Sequence, residues 1–219
     1  MIQKEMTVGD LAAQMPWVTG VFQTMGIDFC CGGKTPLADA LAEKGLSIDV
    51  FQAQAEAART ARAASADADF TQMDAPGLSA HIEDVHHSYL RRALPEIERA
   101  MLSTLAAHGE RHTELFQIHT AFSQLKGELE RHLIKEEVLL FPALSRGEAV
   151  QALSSEIVHE HEAAGALLAQ MRNLTLDYAA PDDACATFRN LYKMLVELEG
   201  DLFQHIHLEN NILLKGRYA

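Results

Sequence analysis

Apolar residues recur at helical spacing along most of the chain from Leu78 onward, with polar residues between them. This period predicts four long helices, at about residues 78–104, 110–145, 150–175 and 184–214. The breaks between them are short and polar or contain glycine and proline, and short connections make consecutive helices antiparallel. The pattern therefore predicts an up-down-up-down four-helix bundle, a fold that holds cofactors between facing helices.

The residues before Leu78 follow a different pattern, in which short helical segments alternate with turns. Thr7 is placed to cap a first helix, the stretch GIDFCCGGKTP predicts a glycine-rich turn, and Gly45 ends a further helix. Residues 65–77 lose the apolar period and collect small, acidic and turn residues. We therefore expect an all-α protein with a small helical domain at 1–64, a linker at 65–77 and the bundle at 78–219.

One bundle segment places polar groups where apolar ones are expected. In LERHLIKEEVLLFP, residues 129–142, His132 and Glu136 fall four positions apart on the face that the leucines would bury. The stretch HIHLENNILL, residues 205–214, repeats this arrangement with His205 and Glu209. Because imidazole and carboxylate groups are costly to bury without a partner, the repeat predicts metal binding.

Each pair follows a histidine on the preceding helix. His87 precedes His132, and His161 precedes His205 at nearly the same separation, so the two halves of the bundle repeat. The repeat predicts a two-metal centre in which two carboxylates bridge, with positions open for an oxo bridge or a small ligand. Imidazole and carboxylate ligands suit iron, manganese or zinc. The six candidate ligands are His87, His132, Glu136, His161, His205 and Glu209.

Other histidines and glutamates compete with this assignment. His86 is the most serious competitor, because it adjoins His87 and adjacent residues cannot share a helical face. His108 and His112 are also four residues apart, but they flank a break and have no repeated counterpart. Further alternatives, each more often solvated or hydrogen-bonded than a ligand, are His81, His119, His159 and His207. We expect Glu128, Glu137 and Glu160 to lie on the surface or just outside the ligand set, where a carboxylate can orient an imidazole.

Composition and charge narrow the class of protein. With 48% hydrophobic and 22% charged residues, the chain is typical of a folded helical protein. A formal charge of −13 argues against nucleic acid and anionic membranes as partners and favours cations. The N-terminus lacks the apolar stretch of a signal peptide, and the chain has no apolar run of about 18 residues. We therefore expect a cytoplasmic protein.

Five stretches together resemble one known family. DFCCGGKTPLADA, HHSYLRRALPEI, HLIKEEVLLFP, HEHEAAGALL and HIHLENNILL occur in the order found in the di-iron iron-sulfur cluster repair proteins, also called repair of iron centres proteins. That family has a small N-terminal helical domain and a hemerythrin-like bundle. The resemblance implies two non-haem iron ions on the six candidate ligands, bridged by Glu136 and Glu209. The chain departs from the family at His86, where a tyrosine is common, and at Lys215 and Gly216, where the family tends to have Phe-Pro.

The resemblance also implies a function under nitrosative and oxidative stress. The protein would bind or process nitric oxide and help damaged iron-sulfur proteins recover, with iron donation as one route. Nitric oxide or oxygen would be the small ligand, and monomer and homodimer both stay open. Two other classes remain: a hemerythrin-type oxygen or nitric oxide binding, storage or sensing protein without turnover, and an interaction module with a structural metal. An open, redox-active site separates the first two classes from the third.

The cysteines raise a separate question. Cys30 and Cys31 are adjacent and Cys185 is alone, which does not suit a disulfide framework. Adjacent thiols are poorly spaced to chelate one zinc ion, and GGKT lacks the first glycine and the strand of a phosphate-binding loop. A turn near helix N-termini is expected to depress a thiol pKa. Together with the resemblance, this predicts reactive thiols at Cys30 and Cys31, separate from the bundle metals, and a packing role for Cys185.

Overall fold

A computed structural model describes residues 2–62 and 69–217 of the chain. The described residues are helical or lie in turns and include no β-strand, which confirms the all-α prediction. They fall into two compact units: the cysteine unit, Met1–Ser79 with Phe203–Ala219, and the bundle unit, Ala80–Leu202. Residues 65–68 of the predicted linker lie outside the described residues, whereas residues 69–77 contain a 3₁₀ turn, Phe70–Gln72, and a helix start.

The cysteine unit is built from short helices around a small aromatic core. Its helices are α1 (Val8–Gln14), α2 (Thr19–Thr24), α3 (Leu37–Glu43) and α4 (Ile48–Arg62). Thr7 caps α1 as predicted, because its Oγ1 accepts a hydrogen bond from the Asp10 amide at 3.1 Å. In the core, Phe22 stacks on Phe29 and Phe51, with centroids 5.8 and 5.3 Å away.

The described residues from 75 to 213 form the remaining helices, four of which are longer than twenty residues. They are α5 (Ala75–Ile82), α6 (Ser88–His108), α7 (Glu114–Lys135), α8 (Phe141–Ser145), α9 (Gln151–Leu174) and α10 (Ala186–Leu208), with five-residue π-helices π1 (Glu83–His87), π2 (Glu136–Leu140) and π3 (Glu209–Leu213). These bounds follow the four predicted helical segments closely. The π-helices, which the apolar period did not predict, are the difference.

Contacts within the bundle unit connect its long helices into a ring. Ion pairs join α6 to α7, α7 to α9 and α9 to α10, and His86 Nδ1 in π1 lies 2.9 Å from Asp201 Oδ1 in α10. The interior is mainly leucine and isoleucine, including Leu90, Leu94, Ile97, Leu125, Leu129, Leu168, Leu195 and Leu198. Among the described helices, none has both the length and the apolar content needed to cross a bilayer.

Candidate metal centre

In the bundle unit, the carboxylate of Glu136 lies between two imidazoles. Glu136 is the first residue of π2 and is fully buried. Its Oε2 lies 3.3 Å from Nε2 of His87, and its Oε1 lies 3.2 Å from Nε2 of His132. Each oxygen of this buried carboxylate therefore faces an imidazole nitrogen from a different helical segment, in the interior of a bundle where metal sites are built.

His161 adds a third donor to the same group. Its Nε2 lies 3.1 Å from Nε2 of His132, with the two ring centroids 4.8 Å apart. His132, Glu136 and His161 offer ligand atoms that all lie within 4.8 Å of one another, and all three residues are buried. Two imidazole nitrogens and a carboxylate oxygen form a donor set that suits iron, manganese or zinc.

An outer carboxylate sets the orientation of His87. Nδ1 of His87 lies 2.8 Å from Oε1 of Glu137, whose two oxygens also accept hydrogen bonds from Arg91 Nη2 at 2.8 Å each. Burial raises the pKa of Glu137, but the hydrogen bonds from Arg91 and His87 outweigh it and hold this pKa below its ordinary value. An ionised carboxylate only accepts, so Nδ1 of His87 carries a proton and donates to Glu137, which leaves Nε2 as the ring atom that faces Glu136.

The same arrangement recurs around His132. Its Nδ1 lies 2.8 Å from Oε2 of Glu160, and Lys135 Nζ donates to the other oxygen at 2.5 Å. These hydrogen bonds, first that from His132 and then that from Lys135, lower the pKa of Glu160 to about 2. Glu137 and Glu160 thus contact imidazoles, and Glu128 accepts a hydrogen bond from Gln124 at 2.9 Å on the surface. Both positions agree with the prediction for these glutamates.

The second repeated pair lies in the cysteine unit. His205 is in the last turn of α10, Glu209 is the first residue of π3, and both are buried. Nε2 of His205 lies 3.4 Å from Oε1 of Glu209. The pair therefore has the same internal geometry as His132 and Glu136.

The π-helices coincide with the candidate ligands. His87 is the last residue of π1, and Glu136 and Glu209 are the first residues of π2 and π3. Such turns are rare and concentrate at functional sites, because the wider turn changes the direction in which the following side chains point. Sequence reasoning missed them. The sequence carries no clear signal for them, because the apolar run begins two residues after Glu136 in the first copy and three residues after Glu209 in the second.

The competing histidines have other partners. His86 is directed to Asp201, so in π1 it is His87 that faces Glu136. His112 contacts Glu114 and Asp183 at 3.0 Å each. In this group, which includes His108, the nearby guanidinium of Arg111 disfavours a cation. On the surface, His119 Nε2 lies 3.5 Å from Ser123 Oγ, and the His159 side chain is largely exposed.

His207, in the cysteine unit, packs between a phenylalanine and an amide. Its ring centroid lies 5.5 Å from that of Phe29, and its Nδ1 lies 3.2 Å from Nδ2 of Asn211. Burial lowers the pKa of His207 to about 4, so the ring is neutral near pH 7. This histidine therefore supports the glycine-rich turn beneath which it lies.

The two adjacent cysteines lie in that turn and differ from each other. Cys30 is buried and Cys31 is half-buried. The neighbouring Cys31 thiol, burial and the carboxylate of Asp28 all raise the pKa of Cys30. The expected depression of the thiol pKa is therefore wrong for Cys30, because the turn buries this sulfur beside acidic groups.

Cys185 differs from its predicted packing role. It is exposed, just before the first residue of α10. Its pKa lies below the ordinary value because the backbone amide of Phe188 donates to its sulfur. The sequence predicts that a helix N-terminus lowers a thiol pKa at Cys30 or Cys31. In the structure this effect occurs at Cys185.

Two parts of the chain match known protein families. Residues 78–215 match the family described as the hemerythrin HHE cation binding domain, and residues 4–59 match a domain of unknown function, DUF542. The iron-sulfur cluster repair protein YtfE of Dickeya chrysanthemi (strain Ech1591) is 34% identical over 215 residues, which cover 97% of this chain and 96% of the relative. The protein of the same name from Yersinia pseudotuberculosis serotype IB is 36% identical over the same shares.

Proposed function

Because the chain belongs to the iron-sulfur cluster repair proteins that carry a hemerythrin HHE domain, we propose that it repairs iron-sulfur clusters damaged by nitrosative or oxidative stress. A hemerythrin HHE domain implies a non-haem di-iron site. Bound iron would supply ferrous-ferric redox chemistry and open coordination positions, for which nitric oxide or oxygen is the proposed ligand. The proposed partners are damaged iron-sulfur proteins in the cytoplasm.

The observation that carries the proposal is the position of Glu136 between two imidazoles. Each of its oxygens lies within 3.3 Å of an Nε2 atom, while the Nδ1 atoms of both rings bond to outer carboxylates. Donors of this kind and this burial fit iron. The proposed ligands are His87, His132, Glu136, His161, His205 and Glu209, with Glu136 and Glu209 as the bridging carboxylates.

The outer residues prepare the ligands in the absence of metal. Glu137 and Glu160 accept from Nδ1 of His87 and His132, which turns the Nε2 atom of each ring toward Glu136. Arg91 and Lys135 in turn keep these carboxylates ionised and in place. The rings of His87 and His132 are therefore held in place by residues outside the proposed ligand set.

A binding protein without turnover is the alternative for the same centre. The names of the relatives favour repair over storage or sensing. The two functions separate in one experiment, in which a dehydratase whose iron-sulfur cluster was damaged by nitric oxide is incubated with the purified protein. Recovery of dehydratase activity beyond that given by free ferrous iron supports repair, whereas nitric oxide binding without recovery supports storage.

A matched pair of variants links repair to the centre. Glu136→Gln should lose bound iron and repair, because a neutral amide replaces the proposed bridge. Glu128→Gln should keep both, because Glu128 lies on the same helical segment and contacts only Gln124 among the hydrogen bonds described. Repair at the wild-type rate by Glu136→Gln would contradict the proposal.

We further propose that Cys30 and Cys31 take part in repair as reactive thiols and are not ligands of the di-iron centre. The double variant Cys30→Ala with Cys31→Ala should keep its iron and lose repair. Repair at the wild-type rate would reduce the thiols to packing residues, and loss of iron would make them part of the centre. Thiol labelling that supports this test needs a Cys185→Ser background, since Cys185 is exposed and its pKa is low.

A further inference from the structure

The glycine-rich turn of the cysteine unit brings three metal-binding groups together. Asp28 Oδ1 accepts hydrogen bonds from the Cys30 amide at 2.9 Å and from the Cys30 thiol at 3.1 Å. The sulfurs of Cys30 and Cys31 lie 4.0 Å apart. One oxygen of Asp28 and the two sulfurs all lie within 4.8 Å of one another.

These distances match the spacing of ligands on one ion. Two thiolates about 2.3 Å from a tetrahedral ion lie about 3.8 Å from each other. The sulfurs of Cys30 and Cys31 are already 4.0 Å apart, so both can bind one ion with little movement. The conformation of the turn therefore gives the two sulfurs a separation that chelation allows, although the sequence predicts poor spacing for adjacent cysteines.

The turn is held in this conformation by contacts from elsewhere in the unit. Asn211 Nδ2 donates to the carbonyls of Phe29 at 3.2 Å and Cys30 at 3.1 Å. The Gly32 amide donates to Asp28 Oδ2 at 2.9 Å. A Cβ at Gly33 would lie 2.2 Å from Asn211 Oδ1, so glycine is required for this amide to reach the turn. The donors are thus positioned in advance.

The surroundings leave one side of the group open. Cys30 is buried, whereas Cys31 is half-buried and Asp28 is exposed. An ion held by the three donors would therefore keep a coordination position facing solvent. Metal sites that exchange a ligand or transfer an ion typically have an open coordination position. In structural sites, the protein fills every coordination position.

We propose that Asp28, Cys30 and Cys31 form a second metal site, for a thiophilic divalent cation, with a fourth position open to water or to a thiolate of another protein. Binding replaces two thiol protons, which pass to solvent, with one divalent ion. The local charge therefore stays at that of the Asp28 carboxylate. Because the pKa of Cys30 is raised, the cation competes with its proton, and binding should strengthen as the pH rises.

Cobalt(II) is the probe that distinguishes this site from the bundle centre. Thiolate ligands give cobalt intense near-ultraviolet charge-transfer bands, which imidazole and carboxylate ligands do not give. The full-length, iron-loaded protein with Cys185→Ser is reduced, checked for two free thiols per chain, and titrated anaerobically with cobalt(II). We expect one cobalt per chain with these bands, release of about two protons per cobalt and unchanged iron content.

Three variants in that background test the donors. Cys31→Ser should abolish the charge-transfer bands, and Asp28→Asn should weaken cobalt binding at least about tenfold while one amide oxygen still accepts from the turn. Asp39→Asn is the control, because Asp39 is an exposed acidic residue on α3 outside the group, and it should bind cobalt like the parent. Circular dichroism of each variant checks that the protein is folded. Because Cys31 is only half-buried, we expect Cys31→Ser to fold like the parent and to differ from it in cobalt binding.

Several outcomes would overturn the site. The first is a cobalt titration of the parent without thiolate charge-transfer bands, and the second is bands that persist in Cys31→Ser. The third is one cobalt per two chains, which would indicate an ion bridging two molecules. The inference does not rest on the proposed function. Cobalt binding at the turn without cluster repair would contradict only the proposed function, and repair without cobalt binding would contradict only this site.

Discussion

Replacing Glu137 by glutamine tests the idea that outer carboxylates prepare the metal ligands. Glu137 accepts from His87 Nδ1 at 2.8 Å and pairs with Arg91. Loss of such an outer partner typically lowers metal affinity about 10- to 100-fold, or about 1.4 to 2.7 kcal/mol. The Glu137 side chain is 23% exposed, so solvent compensates part of the loss, and glutamine still offers one acceptor oxygen. We therefore expect Glu137→Gln to bind iron about tenfold more weakly.

The assay is an anaerobic competition for ferrous iron between the protein and a chromophoric chelator. Glu128→Gln is the matched control, because it makes the same chemical change on the same helical segment away from the imidazoles. Thermal unfolding of the metal-free proteins separates positioning from stability, since a positioning role alone predicts similar midpoints. Equal iron affinity in Glu137→Gln and the parent, or an equal loss in Glu128→Gln, would refute the reasoning.

The remaining predictions concern metal content and stability. The aerobically purified protein should contain two irons per chain and show visible ferric absorption that a chelator removes; one zinc per chain without a visible band would contradict this. Glu199→Ala should destabilise the metal-free protein by about 1 to 3 kcal/mol in denaturant unfolding, because the buried Glu199 accepts two hydrogen bonds from Arg172, whereas Arg172 is partly exposed and keeps its ion pair with Asp177; a loss too small to measure would show that solvent replaces the pair. Gly33→Ala should cost about 1 to 3 kcal/mol, because its Cβ would displace Asn211 from the turn, whereas Gly20→Ala, with nothing within 4 Å, should not destabilise; equal stability of the two variants would refute the role of the amide.

The helices and the repeated histidine–glutamate pairs follow from local rules that the sequence contains. Helical geometry fixes which residues share a face, so the spacing of His132 and Glu136 could be interpreted without a structure. Their 3.2 Å contact agrees with that interpretation. The same argument identified His205 and Glu209, whose contact is 3.4 Å.

The sequence could not decide between neighbours on the same helix. His86 and His87 are adjacent, and only the packing of π1 directs one to Asp201 and the other to Glu136. The apolar period gave no sign of a π-helix, because one wide turn changes the pattern of buried positions very little. Partners such as Glu160 for His132 come from another helix, and no local rule specifies that pairing.

The cysteine turn shows most clearly what only the tertiary structure decided. The sequence by itself determined that two thiols and a run of glycines form a turn, because glycine permits conformations that other residues avoid. Whether the thiols are acidic, and whether they can share an ion, depends on burial and on Asn211, which is 181 residues from Cys30 in the chain. Solvation and electrostatic effects arise from all atoms that fold around a group. The Cys31 thiol, burial in the folded unit and the Asp28 carboxylate together raise the pKa of Cys30, and the folded turn places the two sulfurs 4.0 Å apart, which reverses the expectation of an acidic thiol.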